Sequence, residues 1–227
     1  MSKLHHFTLD PLSRRIRLTL AERGEAVQLV DERPWAPSQG LVDLNPSGHV
    51  PVFREDSGAA ICGIEALSEY LEETRRATLP LLPASALARA ETRRLIAWFD
   101  VKFYAEVSEP LITEKIVRRF LTPFEGGGAP DMNRVRKALT NLKPHLDYLS
   151  YLAEERSWLA GEELTLADLA AAAHLSAVDY LGDINWADNP VAKSWYQRIK
   201  SRPSFRVLLG DTLPAMPPAP SYADLDF

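Results

Sequence analysis

The pattern of hydrophobic and polar positions changes once along the chain, near residue 80. Before that point, short β-type runs alternate with helical segments, as expected of an α/β unit. Beyond it, apolar residues recur at helical spacing almost to the end. The pattern predicts an α/β + all-α protein, with an α/β domain over residues 1–78, an all-helical domain over residues 86–210 and a tail over residues 211–227.

The first domain is predicted to run βαβ and then ββα. Gly24 suits the end of the first helix, and Asp56-Ser57-Gly58 suits a hairpin turn between the last two strands. The predicted strands are residues 3–9, 26–30, 50–54 and 59–62, and the predicted helices are residues 13–23 and 64–73.

The second domain is predicted to be helical throughout. Two prolines within residues 79–83 cannot continue a helix and mark the linker, and Pro110 predicts a break or bend. The tail holds four prolines, three aspartates and neither lysine nor arginine, so we expect it to be extended. The predicted helical segments are residues 86–103 continuing through 120, 131–155, 164–181, 189–201 and 204–209.

Composition narrows the classes of function. The chain has 26 basic and 31 acidic side chains, and this balance leaves no basic excess to hold a nucleic acid backbone. The sequence contains neither an apolar run long enough for a membrane span nor a signal-peptide core at its start. The single cysteine, Cys62, excludes an internal disulfide framework and any cysteine-rich metal cluster. We therefore expect a cytoplasmic protein.

Three motifs carry a resemblance to a known family: L-N-P-S-G-H-V-P-V over residues 44–52, L-T-L-A-D over residues 164–168 and R-I-K-S-R-P over residues 198–203. With the order of the two domains, they resemble the cytosolic glutathione transferase superfamily. The resemblance implies a thioredoxin-like first domain and a glutathione-transferase-type helical second domain. It also implies a cis Pro51 that turns the backbone of Val50 toward a bound tripeptide, and a buried capping box formed by Thr165 and Asp168.

The chain departs from the family at both positions that handle glutathione. The family places a hydroxyl or thiol near the start of the first helix, where this chain has Asp10, and an acidic residue followed by serine at the third helix, where it has Gly63 and Ile64. An ionised carboxylate cannot donate to a thiol and raises its pKa. An apolar side chain forfeits a charge-assisted hydrogen bond worth ~1.5–3 kcal/mol. We therefore predict a degenerate glutathione site without a cofactor.

Ser13 leaves an alternative open, because it lies one helical turn beyond Asp10. It is either a displaced activator of a thiol or a first-turn capping and packing residue. As an activator, it would make the protein a glutathione transferase or isomerase, with glutathione as cofactor.

The histidines do not predict a metal site. His5 and His6 are adjacent on a strand, so their side chains point to opposite faces and cannot chelate one ion together. His49, His145 and His174 are scattered, with no carboxylate or cysteine at ligand spacing. We expect Cys62 to be a small buried residue.

Three features remain that a small enzyme would not need. Trp35 lies in a proline-braced loop and is either a binding hot spot or a packing residue. Arg14 and Arg15 crowd the first helix and form either a solvated face or a patch that steers an acidic partner. The end of the tail is either docked, disordered or a recognition segment, and its candidate contact residues are Asp224, Asp226 and Phe227.

Within the superfamily, this combination most resembles the glutathione-transferase-like division proteins of alphaproteobacteria that bind the tubulin-like polymer FtsZ. The resemblance implies a homodimer that binds a cytoplasmic polymer at the division site and does not turn over glutathione. We expect a non-catalytic adaptor in cell division whose partner surface includes Trp35, with a second partner for the tail.

Overall fold

A mixed four-stranded sheet forms the centre of the first domain. The structure is a computed structural model that describes residues 1–75, 80–214 and 216–227. The strand order is β2-β1-β3-β4; β1 and β2 are parallel, whereas β3 is antiparallel to both β1 and β4. This is the predicted βαβ and ββ arrangement of a thioredoxin-like domain. The strands are β1 (Lys3–His6), β2 (Gln28–Asp31), β3 (Val52–Arg54) and β4 (Ala60–Cys62).

Helices α1 (Pro11–Glu22), α2 (Gln39–Leu44) and α3 (Ile64–Thr74) complete this domain. Helix α2 was not predicted from the sequence, because a helix of six residues that buries only Leu41 has little hydrophobic periodicity. The core between the sheet and the helices consists of Leu4, Ile16, Leu20, Phe53, Leu67 and Leu71.

The second domain is helical, as predicted. Its first helix is continuous but changes its winding: α4 gives way to wide π-helical turns over Trp98–Ser108 and then to α5, which holds Pro110 in its first turn. The predicted break at Pro110 thus coincides with a change of helical pitch. The helices are α4 (Ala86–Ala97), α5 (Glu109–Lys115), α6 (Met132–Glu155), α7 (Leu166–Tyr180), α8 (Pro190–Lys200) and α9 (Arg206–Leu209), with single 3-10 turns at Val117–Arg119, Pro123–Glu125, Trp186–Asp188 and Pro203–Phe205.

Helix α7 is buried along its whole length and packs against α1 of the first domain. The predicted capping box at its start is confirmed: Asp168 accepts a hydrogen bond from the Thr165 amide at 3.0 Å. Asp168 also accepts from the Leu159 amide at 2.9 Å, and burial raises the pKa of this carboxyl. Asp168 therefore holds the loop that precedes α7 against the first turn of this buried helix.

The predicted linker is only partly described, because Leu79 lies outside the described residues, as does the predicted end of the first domain at residue 78. Leu81 and Leu82 are buried in the core of the helical domain. The Leu81 carbonyl accepts from the Leu166 amide at 2.9 Å. The described part of the linker therefore packs against the second domain, and the domain boundary itself stays a prediction.

Candidate functional site

A cavity of about 900 Å³ lies between the two domains, beside the start of α1. The first domain contributes the loops that follow β1 and β2, the turn before β3 and the start of α3. The second domain contributes the last π-helical turns, α5 and the 3-10 turn after it. The lining residues that bear on function are Phe7, Asp10, Trp35, Val50, Gly63, Ile64, Tyr104 and Glu109.

Asp10 is the N-cap of α1, and its side chain lines the cavity. One carboxyl oxygen accepts from the Ser13 amide at 2.7 Å and from the Ser13 hydroxyl at 2.6 Å. Burial nevertheless raises the pKa of Asp10 to about 6. The residue at the position where the resemblance implies a thiol activator is therefore a buried acid with a raised pKa.

Ser13 is fully buried, and its hydroxyl donates to Asp10. It is not among the residues that line the cavity. Its side chain thus completes the cap of α1, which favours the capping interpretation over the thiol activator.

The turn into α3 has the departures that the sequence indicated. Gly63 precedes the helix at φ +87°, a backbone conformation that favours glycine, and it offers no side-chain cap. Ile64 follows and presents a half-buried hydrocarbon to the cavity. The Val50-Pro51 peptide bond is cis, as predicted, and both residues line the same cavity. The turn therefore has the cis bond that the resemblance implies, and it has a glycine and an isoleucine where the resemblance implies an acidic residue and a serine.

Two of the polar residues that line the cavity from the second domain, Tyr104 and Glu109, were not predicted from the sequence. Tyr104 comes from the π-helical turns and Glu109 from the start of α5. Burial raises the pKa of Tyr104 strongly, and the negative charges of Asp10 and Glu109 raise it further. No motif in the sequence pairs these residues with Asp10, because only the docking of the two domains brings them together.

Trp35 is half-buried between residues of both domains. Its ring meets Phe7 edge-on at 5.3 Å and stacks on Phe120 at 5.2 Å with 13° between the planes. Phe120 is 44% exposed, and Phe124 in the next turn is fully exposed. Trp35 therefore packs within the chain and at the same time borders an exposed aromatic surface.

The expectation of an exposed basic face on α1 is wrong. Arg14 and Arg15 are 0% and 1% exposed, respectively. Arg15 binds Asp100 and Ser68, so it connects α1 to α3 and to the π-helical turns. Ile16 and Leu20 of α1 share a core with strand residues, and α1 also packs against α7. Its arginines thus bind buried groups between the domains. In this structure they are not available to steer a partner.

Arg14 fastens the tail to the interface between the domains. It donates to the Thr8 carbonyl at 2.8 Å, the Ser176 hydroxyl at 2.8 Å, the Tyr222 hydroxyl at 2.9 Å and Asp211 at 2.9 Å. Tyr222 is fully buried, so the docked alternative for the tail is the one observed.

The end of the tail divides into docked and exposed residues. The Phe227 ring packs edge-on against Trp186 at 5.3 Å and lies 3.9 Å from the Lys200 ammonium. Asp224 and Asp226 are exposed.

His5, His6 and Cys62 are among the remaining titratable residues of the first domain that the sequence raised as candidates. His5 lies 2.8 Å from buried Glu32, and burial lowers the pKa of His6 to about 4. Cys62 is half-buried and lines the cavity, and burial raises the pKa of its thiol. Across residues 1–75, 80–214 and 216–227, no three potential metal ligands come together. None of the helices described there is long and apolar enough to cross a membrane.

Two family models match the chain: the glutathione S-transferase N-terminal domain over residues 11–74 and the glutathione S-transferase C-terminal domain over residues 109–203. The chain is also 31% identical to glutathione S-transferase 3 of Zea mays, over 97% of this chain and 98% of that protein. With the two-domain fold and the cis Pro51 turn, these matches show that the chain belongs to the glutathione S-transferase family.

Within the family, the chain is 45% identical to FtsZ-localized protein A of Caulobacter vibrioides, over 99% of this chain and 97% of that protein. The structure of FzlA from C. crescentus superimposes with a TM-score of 0.94 at 44% identity and covers 100% of this chain and 99% of that one. A glutathione S-transferase structure from Sinorhizobium meliloti 1021 superimposes with a TM-score of 0.96 at 46% identity over 100% of both chains.

Proposed function

We propose that the protein is a glutathione-transferase-like adaptor that associates with FtsZ and regulates bacterial cell division. The observation that carries the proposal is the 45% identity to FtsZ-localized protein A, which extends over 99% of this chain. Both domains and the tail fall within that match. A role in division therefore concerns the whole molecule rather than one shared domain.

The cleft supports a function other than glutathione transfer. A glutathione sulfur near Asp10 would meet a buried acid, and the Ser13 hydroxyl beside it already donates to that acid. A γ-glutamyl carboxylate at the start of α3 would meet the hydrocarbon of Ile64. Both contacts lower the affinity for glutathione, because a charged group loses a hydrogen-bonding partner on burial.

The proposed contact surface for FtsZ is the aromatic surface formed by Trp35 and Phe120. Stacking of Trp35 on Phe120 fixes one large aromatic side chain beside another that is 44% exposed. Rigid, partly exposed aromatic residues are enriched among binding hot spots because they bury much apolar area at little entropic cost.

The adaptor is proposed to act as a homodimer in the cytoplasm, at the division site. A symmetric dimer presents two equal contact surfaces and binds or crosslinks a filament with gained avidity. Light scattering of the purified protein tests the dimer, and a fluorescent fusion in a dividing bacterium tests the location. A monomer at micromolar concentration would remove the crosslinking mechanism.

The tail is proposed to contact a second partner. Asp224 and Asp226 are exposed at its end, while Tyr222 and Phe227 anchor the segment to the helical domain. The structure thus presents two acidic side chains from a docked segment, an arrangement suited to a basic partner surface.

Co-sedimentation with GTP-assembled FtsZ filaments tests the adaptor function. The parent protein should pellet with filaments, and Trp35→Ala should pellet several-fold less while its circular dichroism spectrum is retained. Tyr151→Ala is the matched control, since Tyr151 is a 59% exposed aromatic residue on α6. Equal sedimentation of the Trp35 and Tyr151 variants would remove the proposed surface, and no sedimentation of the parent would remove the partner.

A second candidate function is thiol conjugation. The observation in its favour is the 46% identity to the protein from Sinorhizobium meliloti described as a glutathione S-transferase. Calorimetry with reduced glutathione separates the two functions. Binding at millimolar or lower concentration, with conjugating activity that is lost in Ser13→Ala, would favour the enzyme.

A further inference from the structure

The cavity between the domains combines aromatic walls with acidic groups. Phe7 and Trp35 line it from the first domain and Tyr104 from the second. The carboxyl groups at its surface belong to Asp10 and Glu109. Among the described residues that line it, none is a lysine or an arginine. At about 900 Å³ it has the size of a small-molecule site.

The two carboxyl groups act on the same region of the cavity although they come from different domains. Tyr104 lines the cavity together with both of them, and their charges add to the effect of burial in raising the pKa of its phenol. Arg134 approaches Glu109 at 3.3 Å, but it does not line the cavity and it also binds Glu114, at 2.7 Å. The ion pair between Arg134 and Glu109 is partly exposed, so it neutralises the Glu109 carboxylate only in part.

We propose that this cavity binds a small organic cation, an ammonium group attached to an apolar or aromatic body. The ammonium group would lie near Asp10 and Glu109, against the face of Tyr104, and the body would pack on Phe7 and Trp35. Cations bind aromatic faces more strongly when water is excluded, and nearby carboxylates add to the attraction. A ligand that carries a carboxylate would instead be repelled by the carboxyl groups of Asp10 and Glu109. The inference does not rest on the FtsZ partner, although Trp35 belongs both to the cavity and to the proposed FtsZ contact surface.

Three probes that share one body test the charge preference: 4-phenylbutylamine, 4-phenylbutanol and 4-phenylbutyrate. Their affinities are measured near neutral pH by titration in NMR spectra of the full chain, with the Trp35 indole signal reporting the site. The amine should bind about tenfold more tightly than the alcohol, and the carboxylate should bind more weakly than both.

Glu109→Gln should weaken amine binding about threefold to tenfold and leave alcohol binding unchanged, because only the charge is removed. Glu154→Gln, which removes an exposed charge on α6, is the control and should change neither. Asp10→Asn should also weaken amine binding and leave alcohol binding unchanged. If the Asp10→Asn variant does not fold, the test rests on the Glu109→Gln variant.

Three results would overturn the proposal. They are binding of none of the three probes, carboxylate binding as tight as amine binding, and an equal loss of amine and alcohol binding in Glu109→Gln.

Discussion

Replacement of Arg14 by methionine tests whether buried arginines hold the two domains and the tail together. The guanidinium of Arg14 is fully buried and donates to Thr8, Ser176, Tyr222 and Asp211. Removal of one partner from a buried ion pair costs about 3–5 kcal/mol, since the other charge stays buried. Asp211 keeps its two hydrogen bonds from Arg17, at 2.9 and 2.8 Å, so the lower end of that range applies.

We therefore expect Arg14→Met to lower the free energy of unfolding by about 3 kcal/mol and Tm by about 6–12 °C. Urea denaturation followed by circular dichroism and a thermal scan measure both quantities. Arg136→Met, a change on the exposed face of α6, is the control and should stay within about 0.5 kcal/mol of the parent. A loss below about 1 kcal/mol in Arg14→Met would refute the assignment of α1 as the element that joins domains and tail.

Three further predictions concern the cleft and the tail. Burial raises the pKa of Asp10 from its ordinary 3.8 to about 6, so the cost of ionising it in the folded state builds up between these pH values and is complete above them. Asp10→Asn should therefore be up to about 3 kcal/mol more stable than the parent near pH 7.5, with the difference vanishing toward pH 4 in urea titrations. Asp147→Asn, which removes an exposed carboxyl group on α6, is the control. Asp10→Ser combined with Ile64→Ser should raise the affinity for glutathione about tenfold in calorimetry, and an unchanged affinity would contradict the explanation of the degenerate site. Asp224→Lys with Asp226→Lys should leave FtsZ co-sedimentation intact while reducing recovery of a second partner in pull-downs; loss of FtsZ binding would assign the tail to the first partner instead.

The fold could be predicted from the sequence because its strongest signals are local. The capping box of Thr165 and Asp168 needs only residues three positions apart, and the cis Pro51 turn lies within one short motif. Strand β1 ends at His6 rather than at residue 9, since the following residues turn back and the Asp10 amide donates to the Phe7 carbonyl. Boundaries of this kind depend on capping contacts that hydrophobic periodicity does not report.

The candidate site could be predicted only in part, because the second domain contributes some of its lining residues. Asp10, Gly63 and Ile64 were found through their positions in family motifs, whereas Tyr104 and Glu109 reach the cavity only through domain docking. The arginines of α1 could not be placed for the same reason. A basic run predicts a solvated face unless a second surface covers it, and here residues as distant as Asp211 provide the buried partner.

Co-sedimentation of the parent protein with GTP-assembled FtsZ, in parallel with calorimetry against reduced glutathione, tests the central proposal most directly. The adaptor function predicts saturable pelleting with filaments that Trp35→Ala weakens and no glutathione binding at millimolar concentration. Glutathione bound at that concentration, together with a protein that stays in the supernatant when filaments pellet, would contradict it.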